Sequence, residues 1–200
     1  MQFSACDIIA IETFAKDVIG RSPHGPDKSK IKIGTNTFPV SFKRPHSLPQ
    51  SGTLGEHDLR GEFSWTNKEI QIRSFQCTLP NNEESFEHCV GVIVHELVHA
   101  LQFNNLSEEQ KQEAIDCAKD AKNCPECYAK YLTCEVELPA HAAMIAFSLR
   151  KKPGDDFDQL APKTSFFQYF SEKLGKSPEK AAALSCLLSR AKNIHSTLSS

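Results

Sequence analysis

The chain has 200 residues, 40% of them hydrophobic and 24% charged, with a formal net charge of −2. That is the make-up of an ordinary globular protein, long enough to bury a core without staples. So small a charge recruits neither nucleic acid nor an acidic membrane by bulk attraction, and no apolar run reaches the roughly 20 residues that a membrane-spanning helix needs.

The N-terminal segment MQFSACDIIAIETFAKDVIG has no basic leader. Its apolar residues recur at helical spacing, so it reads as an amphipathic helix over about 5–19, capped by Ser4 and stopped by Gly20, and not as a signal peptide. Between residues 21 and 61, Pro, Gly and Ser break the text into short alternating runs, continued by EFSWTN and EIQIRSF; three to five short strands with long loops are expected. After Asn82, a good N-cap followed by Glu83 and Glu84, the pattern turns helical and stays apolar to Phe103. Further helices are expected at about 107–122 with Ser107 as cap, 126–150 with a break near Pro139, 156–173, and 178–195 with Ser177 as cap and Pro178 at the first helical position. The expected class is α+β and mostly helical, with a short antiparallel or mixed sheet in the N-terminal half and a helical bundle. One domain over 1–200 is expected, either whole or as the N-terminal piece of a longer protein.

The helix after Asn82 carries GVIVHELVHALQ, residues 91–102. His95 and His99 are four positions apart, so a helix presents their imidazoles one turn apart on one face. Two imidazoles so placed suit one small cation. A catalytic zinc takes three protein ligands and keeps a fourth position for water, whose pKa it lowers. Glu96 lies beside the ligand face without being a ligand, which fits it to be the general base in hydrolysis of an amide. The bland alternative is a pair of hydrogen-bonded histidines in a buried helix; the capped, apolar helix around the five-residue pattern favours the metal reading.

A third ligand must come from elsewhere, and YLTCEVELPAHAAMIAFSL offers Glu135, Glu137 and His141. Glu137 and His141 can share a helical face, whereas Glu135 points roughly the opposite way from Glu137. With these residues in view, the chain resembles the zincin metallopeptidases, and within them the branch whose third ligand is a glutamate on a later helix. HELVH matches the first part of the pattern, and ELPAHA is similar to the Glu-x-x-Ala-x-Ala sequence around that glutamate. The resemblance implies one catalytic zinc held by His95, His99 and Glu137, with Glu96 as base and His141, or a tyrosine such as Tyr131, near the developing oxyanion. It implies a zincin-like fold with an edge strand along the cleft, for which KEIQIRSF is the candidate, so that a substrate can add as a further strand; an ordinary buried strand is the equal alternative for that segment. The metzincin branch is excluded, because Asn105 stands where its third histidine would be.

The position of the motif and the general layout also resemble bacterial effector metalloproteases that cleave host actin. That likeness implies a virulence protein translocated into a host cytosol, with actin as its protein substrate; otherwise a cytoplasmic location is expected. A regulatory peptidase acting on a repressor in its own cell, and a zinc-containing binding module without turnover, are the alternatives.

Of eight cysteines, four lie at spacings of seven, three and seven: Cys117, Cys124, Cys127 and Cys134. CPEC resembles half of a zinc knuckle, but a helix would hold Cys117 roughly 10 Å from Cys124, too far for one tetrahedral ion with bonds near 2.3 Å. A helical hairpin turning at Pro125 and Glu126 would instead set Cys117 opposite Cys134, as free thiols or one cross-helix disulfide. A redox dithiol lacks the βαβ context that usually frames it. The remaining histidines, His24, His46, His57, His88 and His195, read as surface or packing residues.

Overall fold

A computed structural model describes residues 3–20, 28–43, 59–74, 82–121, 124–152, 156–176 and 179–198. They group into two compact units, Phe3–Ala100 and the residues from Leu101 onward. The chain is α+β and mostly helical, with the strands among the described residues all in the first unit.

The first unit begins with helix α1 (Ala5–Gly20). Its start is a reciprocal cap: the Ser4 N–H donates to Asp7 Oδ2 at 2.8 Å while the Asp7 N–H donates to Ser4 Oγ at 3.2 Å, which satisfies two orphan donors of the first turn. Strands β1 (Lys28–Ile33), β2 (Asn36–Lys43), β3 (Leu59–Ser64) and β4 (Glu69–Ser74) form one sheet in the order β1-β2-β4-β3. β1 and β2 are an antiparallel hairpin closed by two residues, and Gly34 in that turn has φ of 57°, where a side chain would be strained. Its N–H donates to Asp7 Oδ1 at 2.7 Å, so the carboxylate that caps α1 also holds the hairpin.

β2 and β4 run parallel, and β3 and β4 antiparallel. KEIQIRSF, the candidate edge strand, is therefore interior: β4 pairs on both sides, and among the described residues β3 and β1 form the edges. Ile70 and Ile72 are buried on one face and Gln71, which points to the other, is buried too, so this alternating run is covered on both faces.

Helix α2 (Glu83–Phe103) follows. Asn82 caps it, its Oδ1 accepting the Ser85 N–H at 2.8 Å. Through residues 89–100 every side chain is buried except half-buried His95. A helix apolar nearly all round is a core helix, and each fully buried Val, Ile or Leu contributes about 1.5–3 kcal/mol to holding it.

In the second unit, α3 (Glu108–Ala121) starts at a capping box in which Gln110 N–H donates to Ser107 Oγ and Ser107 N–H to Gln110 Oε1. α4 (Pro125–Leu132) packs on α3, and α5 (Glu137–Ser148) follows a short turn. The helix expected over 126–150 thus breaks at 133–136, ahead of Pro139. Pro139 sits in the first turn of α5, where a missing N–H costs nothing. α6 (Phe157–Leu160) and α7 (Ser165–Lys173) are separated by a 3₁₀ turn at Ala161–Lys163, because Pro162 interrupts the ladder. α8 (Lys180–Leu198) packs on α5; its expected cap, Ser177 with Pro178, lies outside the described residues. The core here joins Ile145, Phe157, Phe170, Leu187 and Ala191. His195 is buried within this unit, its Nε2 2.9 Å from the Leu149 carbonyl, a packing histidine as expected. No helix among the described residues is long and apolar enough to cross a membrane.

Candidate metal centre

In the first unit, α2 brings His95 and His99 together: their Nε2 atoms are 3.0 Å apart, with the rings edge to face. At that distance the two nitrogens either share one proton or face one cation. His99 and Glu96 are almost completely buried, and His95 is half-covered.

Glu96 turns toward the edge strand. A Cβ placed on Gly61 of β3 would lie 2.6 Å from Glu96 Oε1 and 2.8 Å from its Cδ, and closer still to Cγ. A side chain at position 61 would force the Glu96 side chain to shift, so glycine there lets Glu96 keep its place against β3. His88, two turns earlier on α2, has its Nε2 3.4 Å from the Leu59 carbonyl of the same strand. Gly61 is the site residue that sequence reasoning missed. It stood in a stretch rich in Gly and Pro, where glycine signals a turn, and only the approach of a helix 35 positions later gives it another meaning.

In the second unit, Glu137 is the first residue of α5 and is buried, whereas Glu135, two positions earlier, is exposed. The Tyr131 hydroxyl donates to Glu137 Oε1 at 2.5 Å. Glu137 Oε2 lies 3.8 Å from His141 Nε2, one turn on, so the shared face expected of this pair is present. Gln102, in the last turn of α2, donates from Nε2 to the Val136 carbonyl at 3.1 Å, tying that turn to the start of α5. His141 is buried edge-on against Phe170, with ring centroids 5.1 Å apart. A carboxylate out of water is costly unless hydrogen-bonded, and Tyr131 supplies such a bond.

Imidazole and carboxylate are donors for divalent cations, and each unit carries such donors close together, His95 with His99 in the first and Glu137 with His141 in the second. Among the described residues the four thiols of the CPEC region form no group that could hold a metal ion. No protein family, curated protein or solved structure matches this chain.

Proposed function

We propose that the protein is a zinc-dependent endopeptidase of the zincin type, with His95, His99 and Glu137 as ligands of one zinc ion. The observation that carries the reading is the His95–His99 pair. Two nitrogens on one tetrahedral zinc at about 2.0–2.1 Å stand about 3.3 Å apart, close to the 3.0 Å between these Nε2 atoms. The buried Glu137, already hydrogen-bonded, has the chemistry of a third ligand.

When bound, the ion would supply Lewis-acid activation of a water and of the scissile carbonyl. Glu96 would hold the proton taken from the attacking water and hand it to the leaving amine. Burial of Glu96 keeps its carboxylate dry and directed, and Gly61 leaves room for it at the sheet edge. A peptide adding to the free edge of β3 would run past Glu96 and present its backbone to the base. His141 or Tyr131 would donate to the oxyanion. Actin is the proposed protein substrate, in a host cytosol.

Metal analysis joined to a cleavage assay tests the reading. The wild-type chain should bind one zinc and cut actin, and Glu96→Gln should keep zinc and fold while losing at least about a thousandfold in turnover. Undiminished cleavage by Glu96→Gln would overturn it. One zinc with no product from actin or any other protein of a host lysate would point instead to a binding module, and a product found only among the producing cell's own proteins to a regulatory peptidase.

A further inference from the structure

CPEC is the motif that the metal centre leaves unused. Cys124 is the N-cap of α4, with extended backbone, and its Sγ accepts the Cys127 N–H at 3.2 Å. The Cys127 Sγ–H donates to the Cys124 Sγ at 2.7 Å. That separation is well inside an ordinary sulfur contact and about two thirds of an ångström beyond a disulfide bond of about 2.05 Å. Neither sulfur is in a disulfide, and both cysteines are partly exposed.

We propose that Cys124 and Cys127 form a redox-active dithiol that is oxidised reversibly by small-molecule disulfides such as oxidised glutathione. The placement divides the labour. Cys124 at the helix N-terminus receives a backbone N–H and the positive end of the helix dipole, both of which favour its thiolate. Cys127 keeps its proton, since the hydrogen bond it makes to Cys124 pushes its thiol above the ordinary range. Cys124 Sγ attacks one sulfur of the small disulfide, whose S–S bond breaks and releases one thiol. Cys127 Sγ then attacks Cys124 Sγ in the mixed disulfide and expels the second thiol. The two protons of the protein dithiol leave on the two released thiols. Ring closure needs no unfolding of α4, because the N-cap geometry already holds the sulfurs together.

The nearest rival pair is Cys117 with Cys134. Burial is the first cause that pushes the Cys134 thiol up, and Cys117 stands near enough to add to it. The sequence separates the two pairs. Trypsin cutting after Lys122 and Lys130 releases one peptide with both Cys124 and Cys127, while Cys117 and Cys134 fall on two different peptides.

The test is equilibration of the full chain with oxidised glutathione, alkylation, tryptic digestion and mass spectrometry. The 123–130 peptide is expected to lose two hydrogens, to regain them with dithiothreitol, and to do so with unchanged helix content by circular dichroism. In Cys127→Ser the same peptide should stop at one added glutathione. Retention of both thiols across the glutathione range, or cross-linking of the Cys117 and Cys134 peptides in place of the loss at 123–130, overturns the proposal.

Discussion

α2 and α5 are both buried nearly all round, yet each satisfies its polar groups in a different way. α2 is 21 residues long, capped by the Asn82 side chain, and its histidines meet each other while its glutamate meets a strand glycine. α5 is 12 residues long, begins without a side-chain cap and opens on a buried carboxylate, which accepts a hydrogen bond from Tyr131 of α4. Length and capping let α2 carry a chemical motif within one element. α5 depends on its neighbours to make a buried glutamate tolerable.

The largest effect that would break this comparison is on the α2 side. Gly61→Ala puts a methyl group into the Glu96 carboxylate, and overpacking of that kind should cost about 3 kcal/mol, read as a lowered denaturant midpoint at unchanged m-value. Most of that loss should vanish when Gly61→Ala is made in a Glu96→Ala background, since the clashing atoms are gone. Equal losses in both backgrounds would mean that β3 does not lean on Glu96.

On the α5 side, Tyr131→Phe removes a donor from a buried carboxylate and should cost about 2 kcal/mol. The change isolates the hydroxyl, because the ring and its packing against Tyr128 remain. Glu137→Gln should recover part of the loss in the Tyr131→Phe background, a neutral amide being cheaper to bury than a carboxylate that has lost a donor. If Tyr131→Phe is silent by thermal unfolding, α5 satisfies its carboxylate without α4, and the contrast between the helices falls.

How far each helix was legible in the sequence follows from the same difference. For α2 the cap, the apolar run and the histidine spacing all lie within some twenty residues of one periodic element, so its start at Asn82, its end at Phe103 and the shared face of His95 and His99 could be read directly. For α5 the periodicity ran through the turn at 133–136, and Pro139 drew attention to the wrong residue as the break. That Glu137 is buried and Glu135 exposed follows from how α4 and the turn pack. KEIQIRSF left edge and interior open for a related reason: alternation does not tell how many neighbours a strand has, and only pairing with β2 and β3 makes it interior. Gly61 was silent because a glycine carries no signal until its neighbour in space is known.

The helix starts sharpen the comparison at a smaller scale. Asn82→Ala should cost about 1 kcal/mol by equilibrium unfolding, the usual value of an N-cap side chain. Val136, at the same position before α5, makes no side-chain cap, so Val136→Ala at 8% exposure should act through lost packing alone and leave helix start signals unchanged by hydrogen exchange.

The smallest effect depends on pH and belongs to the first unit. Burial opposes ionisation of Asp7, but the Ser4 side chain, the Ser4 N–H and the Gly34 N–H together outweigh it and hold the carboxyl below its ordinary value. A carboxyl depressed in the folded state binds its proton more readily in the unfolded chain, whose value is about 3.9. Its stabilisation is therefore complete above about pH 5 and is lost as pH falls through the folded value. Asp7→Asn, which keeps one acceptor oxygen and drops the charge, should be less stable than wild type by about 1 kcal/mol at pH 7, and the two should converge as acid protonates Asp7. A gap that stays constant from pH 7 to pH 3 would show that shape, and not ionisation, is what Asp7 contributes to the link between α1 and the β1–β2 turn.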